Sequence, residues 1–557
     1  MLSGREASAV FVLYKNTGIT GTWSAYECNR NQPKHQNGTS PKGEKLMECK
    51  ATGESVFAKE VLLEGNCEQA VDVDFTLPDY CPDIGRLLKC RLEPMITSRE
   101  VSSDALTVEG SARVSVMYLD DRDKKIRCCD RLYPFKASLP FDNTADNVRL
   151  LVDIHVDYVN CRAVSQRKLD IHGAFTLHMT AVSAKKMELI TDAEGEGLRL
   201  RKCRCEISDL VCCTQCGFEI SEAMELGEGK PPVSSILRTG TAICMEECKA
   251  VANKLIVKGD AIFTMVYVTE QGDDPEHMEY VIPFHQFFDV SGVDENCLID
   301  LKMACESVDV SLRTDADGEY RRLDVDLRAM ADIRAYRPRQ IEWITDAYSV
   351  AYETNCRRRQ LKPERLCSTV YDTVMCKQTV DTGDVKIESL CDVWCSVSDS
   401  RSVWRDGKTV TTGNLAVCMI VRDPRQGVVY TEKNVRFDCA VAQPAQGQML
   451  RPECRVTVKS CVCTLTGDNR VELQAELCVH SSLYEDIPMK LVESVELDET
   501  RPKSEESRPA AVLYFAGSGE ELWDIAREYN SSVEAIRAEN DIDGDCVTDS
   551  RLLIVTA

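Results

Sequence analysis

The chain has 557 residues, of which 91 are acidic and 67 basic, giving a formal charge of −24. Its apolar fraction of 43% is enough for ordinary packed cores, so the chain as a whole is not disordered, and its length suggests about four domains at roughly 150 residues each. The acidic excess argues against nucleic acid or an anionic membrane as the main partner, because both favour basic surfaces. Cysteine is abundant, at 29 residues, but lacks the dense spacing of a small disulfide scaffold; the thiols are expected to be mostly reduced.

The segment Ala9–Tyr14 is the longest apolar run near the start, and Lys15 cuts it short. It makes a poor export signal, and no window approaches the ~18–20 apolar residues of a membrane span. The expectation is a soluble protein that folds inside the cell. Residues 1–46 are rich in Asn, Gly, Thr, Ser and Pro and carry no helical or strand period. They read as a disordered leader or as a start codon assigned too early, with Met47 as the initiator.

From residue 47 the sequence repeats. VEGSARVSVMY at 108–118, VKGDAIFTMVY at 257–267 and TTGNLAVCMIV at 411–421 align on Gly110, Gly259 and Gly413, spaced by 149 and 154 residues (259 − 110 and 413 − 259). A phenylalanine follows each glycine after 25, 25 and 24 residues, at Phe135, Phe284 and Phe437. Alternating segments beginning at Leu169, Leu323 and Val471 form a third marker. Leu169, Ile171, Phe175, Leu177 and Met179 fall on one face, while Asp170, His172 and His178 fall on the other, as a half-buried strand requires. The fold class is therefore mainly β. Three tandem β-sandwich-like repeats are expected at 47–200, 201–350 and 351–498, with a charged, proline-bearing linker at 499–510. The segment LPDYCPDIGRLLKC, residues 77–90, interrupts the strand pattern and reads as a loop followed by a helical turn.

Catalytic motifs are scarce: HExxH, GxSxG and the phosphate-loop pattern are all missing from the sequence. A non-enzyme with no cofactor is expected. Cys203, Cys205, Cys212, Cys213 and Cys216 are the best zinc candidates by spacing, but free thiols packed in the core or at the surface are the preferred reading. Cys128-Cys129, Cys212-Cys213 and Cys461-x-Cys463 are read as exposed thiols able to bridge molecules once the surroundings become oxidising.

Residues 511–557 form a small α+β unit in the order strand, helix, helix, strand. Leu522, Ile525, Ala526 and Tyr529 have helical spacing, Ser531 or Ser532 caps a second helix with Val533 and Ile536, and Leu552–Val555 closes with a strand. Tyr514, Gly519, Leu522, Trp523, Ile525-Ala526, Tyr529, Val533, Ile536, Asn540 and Leu552-Leu553-Ile554 stand where a LysM domain has them, and the unit resembles that family. The resemblance implies a shallow groove, built here from Gly519, Glu520, Glu521, Leu522, Trp523, Asn540, Asp541, Ile542, Thr548 and Asp549, that takes N-acetylglucosamine polymers or a partner. Glu520-Glu521 replaces the family's Asp-Thr, and Thr548-Asp549 its Pro-Gly. The added carboxylates favour a protein partner.

Tandem β units before a terminal LysM, with LPDYCPDI at 77–84 as the most specific segment, resemble the clostridial SipL-like spore-coat morphogenetic proteins. That resemblance implies a scaffold in the mother-cell cytosol at the forespore surface, docking a coat-basement ATPase of the SpoIVA type. The alternative is a peptidoglycan- or cortex-binding protein.

Overall fold

The computed structural model describes residues 46–142, 145, 147–270, 272, 274–445, 447, 449–503 and 511–556. The two readings of residues 1–46 therefore fall, apart from Leu46, outside the described residues, as does most of the expected linker. Residues 46–557 form one compact unit, so the repeats are not beads on a string.

The first repeat contains β2 (Lys50–Thr76), β3 (Ile84–Val101), β4 (Ala105–Asp120), β5 (Ile126–Pro140), β6 (Arg149–Ala163) and β7 (Lys168–Glu194), preceded by the short β1 (Leu46–Glu48). Two antiparallel sheets result, ordered β3-β4-β5 and β2-β7-β6. The second repeat, β8 (Leu198–Glu225), β9 (Ser235–Val251), β10 (Lys254–Val268), β11 (Glu276–Asp289), β12 (Leu298–Thr314) and β13 (Tyr320–Ser349), repeats the plan as β9-β10-β11 and β8-β13-β12. In the third repeat the two longest strands are broken. Here β14 (Tyr352–Leu361) and β15 (Glu364–Asp381) replace the first, and β20 (Arg470–Asp486) and β21 (Met489–Pro502) replace the last. Between them lie β16 (Ser389–Arg405), β17 (Lys408–Asp423), β18 (Gly427–Ala442) and β19 (Leu450–Gly467). Part of the expected linker, residues 499–502, thus belongs to a strand.

Alternation drives the packing. Leu169, Ile171, Phe175, Leu177 and Met179 are all buried and share one core with Leu92, Leu106, Val108, Val114 and Val116 of the facing sheet. The other repeats have equivalent clusters. The helical turn expected after LPDYCPD is absent: Ile84 begins β3, and Cys90 and Leu92 of that strand are buried in the core. Two prolines end the preceding strand, and the alternating apolar residues of Ile84–Ile96 then suit a sheet better than a helix.

The glycine and phenylalanine markers are one feature. Gly110 pairs with Phe135, Gly259 with Phe284 and Gly413 with Phe437, in the same register in all three repeats. The ring covers the glycine so closely that an added Cβ would meet it at 2.6, 2.9 and 2.8 Å. A backbone carbonyl of the opposite strand stands nearer still, at 2.2, 2.3 and 2.1 Å from that Cβ. No other residue fits there.

Each repeat extends beyond its core as a two-stranded ribbon. It is made from the N-terminal half of β2 with the C-terminal half of β7, the same halves of β8 and β13, and β14 with β21. The ribbons pack on one another through Val56, Leu189, Ile207, Trp343 and Leu491, and again through Ala193, Ile344 and Leu497. A second three-way junction gathers Met117, Leu237, Val266 and Ile420. Contacts run from the first repeat to the second (Arg99–Glu306, and Phe57 N–H donating to Asp209 at 2.7 Å), from the second to the third, and from the third back to the first (Lys89–Glu432 at 2.7 Å, Lys59–Glu364 at 2.8 Å). The three repeats thus close a ring.

The C-terminal module comprises β22 (Ala511–Ala516), α1 (Leu522–Glu528), α2 (Val533–Asn540) and β23 (Arg551–Thr556). The Ser532 hydroxyl caps α2 by accepting from Ala535 N–H at 3.1 Å. β22 and β23 pair antiparallel, and their inward residues close a small core with Leu522, Ile525 and Ile536.

Candidate functional site

The groove expected in the C-terminal module falls on the loop before α1 and the loop after α2. Its two loops lie side by side: Gly519 N–H donates to Val547 at 2.7 Å, Leu522 N–H to Asp545 at 2.8 Å, and Glu521 bridges to Cys546. Gly519 has φ +89, a conformation that suits glycine. Glu520 accepts from the Tyr514 hydroxyl at 3.0 Å, and the Thr548 carbonyl accepts from Ser518 at 2.6 Å. Asp541, at φ 50, forms the left-handed cap of α2, and Asp549 is exposed. Ile542 packs on the module core.

Four of the expected groove residues serve other ends. Leu522 is fully buried. Asn540 is buried and ties α2 to β23, donating to Ile536 and Ile554 carbonyls at 2.8 and 2.7 Å and accepting from Ile554 N–H at 2.7 Å. Trp523 and Glu521 face the ring of repeats. The Trp523 indole N–H donates to Asp346 at 3.0 Å, and its ring meets Tyr348 edge-on at 4.9 Å. Glu521 pairs with Arg201 at 2.5 Å, and that hydrogen bond holds its carboxyl below the usual range. Sequence spacing placed these side chains at a helix start but could not show that a second surface covers them.

Asp346 is the centre of this contact. Burial opposes its ionisation, but hydrogen bonds from Arg358 and Trp523 outweigh that and hold its carboxyl below the ordinary value. Arg527 adds a third contact at 2.8 Å, the Tyr348 hydroxyl donates to the Ser531 carbonyl at 2.7 Å, and Lys503 donates to Asn530 at 2.7 Å.

The face of the module turned from its helices was not expected to matter. Leu513, Phe515, Leu552 and Ile554 are 67, 68, 55 and 40% exposed. They form the cross-strand pairs Leu513–Ile554 and Phe515–Leu552, one apolar patch on a two-stranded sheet. The signal was present in the sequence: Val512–Phe515 and Leu552–Val555 are apolar at nearly every position, so both faces are greasy although the module can bury only one.

The zinc candidates all lie on β8, which spreads them apart. Cys205 joins the ribbon cluster, Cys213 packs with Leu210 and Tyr336, Cys212 and Cys216 pack against the second core, and Cys203 is exposed. Among the described residues no group of three or more His, Cys, Asp or Glu side chains is arranged to hold a metal. The thiols read as exposed are not: Cys129 is buried, and Cys128, Cys212, Cys213, Cys461 and Cys463 are only partly accessible. They sit on inward or inter-sheet faces of strands. Cys244 and Cys478 are joined in a disulfide between the second and third repeats.

That seam also holds a buried charge cluster. Asp300 accepts from Ser482 at 2.5 Å and Tyr484 at 2.7 Å, and pairs with Arg334 at 2.5 Å and His480 at 3.2 Å. Burial opposes its ionisation, but Arg334 and His480 outweigh it and hold the carboxyl well below its usual value. Glu453, paired with Lys302 and Arg334 at 2.9 and 3.1 Å, is depressed in the same way.

Comparison with known proteins adds a family. A family model described as SipL, SPOCS domain, matches residues 83–164 and 232–313. The first match spans β3–β6 and the second β9–β12, the same four strands of successive repeats, and β16–β19 build that unit a third time. Neither the curated proteins nor the solved structures gave a match. No helix among the described residues is long and apolar enough to cross a membrane. The family's domain thus falls on two of the three structural repeats, which supports a SipL-like protein of sporulation.

Proposed function

We propose that the chain is a non-enzymatic scaffold of spore-coat assembly. It acts in the mother-cell cytosol at the forespore surface. Its repeats, read as β-sandwiches, form a rigid body, and its C-terminal LysM-like module docks a coat-basement ATPase of the SpoIVA type. The observation that carries the docking role is the apolar patch of Leu513, Phe515, Leu552 and Ile554, on the side of the module opposite its own helices. An apolar patch suits a protein surface better than a polar glycan chain.

The test is capture of the full chain on the purified ATPase and, in parallel, on peptidoglycan. Phe515→Glu should weaken capture by the ATPase on the order of tenfold or more, the loss of a hot-spot residue costing about 2 kcal/mol. Its melting temperature should hold, since the side chain is 68% exposed. Capture on peptidoglycan alone would overturn the reading in favour of a cortex-binding protein.

A further inference from the structure

The sheet β3-β4-β5 turns one face to its own core and the other to the second repeat. Val114 and Val116 of β4 belong to the core, so Arg113 and Ser115 fall on the outer face. In register beside them stand Glu93 and Arg91 on β3, and Leu132 and Asp130 on β5. Leu237 of β9 and Asp309 of β12 lie across the seam, and a cavity of about 400 Å³ occupies the space between the two repeats.

The second and third repeats fill the same positions differently. Counted from the marker glycines, Arg113 corresponds to Ile262 and Ala416, both buried. Ser115 corresponds to Thr264, which donates to the Gly240 carbonyl at 3.3 Å, and to Cys418, which accepts from the Tyr430 hydroxyl at 3.2 Å. Ser115 itself is 2% exposed, and its Oγ has no hydrogen-bond partner among the described residues. Arg113 is half-buried and makes no ion pair among the described residues.

The remaining charges at the cavity sort into two groups. Arg91 pairs with Glu93 at 3.2 Å, Arg238 pairs with Asp392 at 3.0 Å, and Arg131 lies over the Phe75 ring on the core side. Asp130 and Asp309 are exposed, and neither has a cationic partner among the described residues; Asp130 accepts from the Cys128 thiol at 3.4 Å. The cavity thus runs from two uncompensated carboxylates at its mouth to an uncompensated guanidinium and an orphaned hydroxyl within. Desolvated donors without partners carry a free-energy penalty that an incoming carboxylate removes. Arg113 and Asp130 are diagonal neighbours on one sheet face, a placement that separates side chains by roughly 7–8 Å. A small molecule with a carboxylate at one end and an ammonium at the other spans that gap.

We propose that this seam is a binding site for a small zwitterion, a free amino acid or a short peptide. Its carboxylate sits on Arg113 and the Ser115 hydroxyl, and its ammonium on Asp130 and Asp309. The first repeat is the one equipped for it. Glu279 and Glu432 stand where Asp130 does, but neither has an arginine at the position of Arg113, and Glu432 is already held by Lys89 at 2.7 Å.

The test is saturation-transfer NMR on the full-length protein, with glycine and glycylglycine as zwitterions and acetate and methylamine as one-ended controls. Saturable binding of at least one zwitterion is expected, with both controls weaker on the order of tenfold or more. The tighter of the two zwitterions tells an amino acid from a short peptide as the natural ligand. Arg113→Met should weaken zwitterion binding on the order of tenfold or more, and Ser115→Ala roughly threefold. Asp130→Asn, at an exposed position, should weaken the zwitterion, leave acetate binding as it was and keep the melting temperature of the wild type. No saturable zwitterion binding, acetate bound as tightly as the zwitterion, or zwitterion binding unchanged in either Arg113→Met or Asp130→Asn would each overturn the proposal.

Discussion

Gly259→Ala isolates the feature on which every repeat is built. In an ordinary strand, alanine is the better residue, because glycine costs about 0.5–1 kcal/mol in conformational entropy. Here the new Cβ would stand 2.3 Å from the Cys244 carbonyl, 2.9 Å from the Phe284 ring and 3.1 Å from Met245 Cα. A ring can rotate a little, but a strand carbonyl held in a ladder cannot withdraw without moving β9. Overpacking of this kind costs about 1–3 kcal/mol, which exceeds the entropic gain. Gly227→Ala is the matched control: nothing lies within 4 Å of its Cβ, and no left-handed backbone constrains it. Denaturant unfolding of the full chain followed by tryptophan fluorescence should show a lower midpoint for Gly259→Ala and no loss for Gly227→Ala. The double variant Gly259→Ala/Phe284→Ala should not be rescued, since the carbonyl remains. Equal midpoints for the two single variants, or recovery in the double variant, would refute the reasoning.

Trp523→Ala should cost about 3–5 kcal/mol, because the indole is buried between its own module and Tyr348; calorimetry should show the module melting early while the β repeats keep their transition. The depressed carboxyls of Asp300 and Glu453 make stability depend on acid. Their ionised forms stabilise the fold fully above the ordinary carboxyl range near ~4, and that contribution is lost as pH falls through and below it. Melting temperature should therefore be flat near neutrality and drop below about pH 5, with Asp300→Asn less stable at pH 7 and shallower in its acid dependence; a curve parallel to the wild type would exclude Asp300 as a source. Asp300→Asn leaves Arg334 short of its buried partner, a loss on the order of 3–5 kcal/mol at neutral pH.

What the sequence revealed was whatever a short stretch of chain decides by itself. The Gly–Phe marker was visible because both residues sit on one hairpin, 24 or 25 residues apart, and only glycine tolerates a ring and a carbonyl at that distance. The alternation of Leu169–Met179 was equally plain, since period two is a local property of a strand. The closing of the ring was hidden. Arg238 and Asp392 pair at 3.0 Å across 154 residues, and nothing in a solitary arginine or aspartate announces that partner. Asp346, Tyr348 and Arg201, which hold the C-terminal module, look like ordinary strand residues until Trp523 and Glu521 arrive from the far end of the chain. The helical turn read into Ile84–Cys90 failed because a seven-residue window with two adjacent leucines satisfies both periods, and only the opposing sheet decides between them.

The closed ring also fixes a stoichiometry. Three subunits with this arrangement would form a trimer that falls apart on dilution; here the peptide chain supplies each neighbour at a local concentration that dilution cannot lower. Concatenation further frees the copies from being identical. The Asp300–Arg334–Tyr484 cluster lies at the seam of the second and third repeats, and the C-terminal module rests on the ribbon of the second repeat through Arg201, Asp346 and Tyr348. The body is therefore polar in the geometric sense. Among the described residues it carries one such apolar hairpin, so on the proposed scaffold role a layer built from such units would carry one connector per ring.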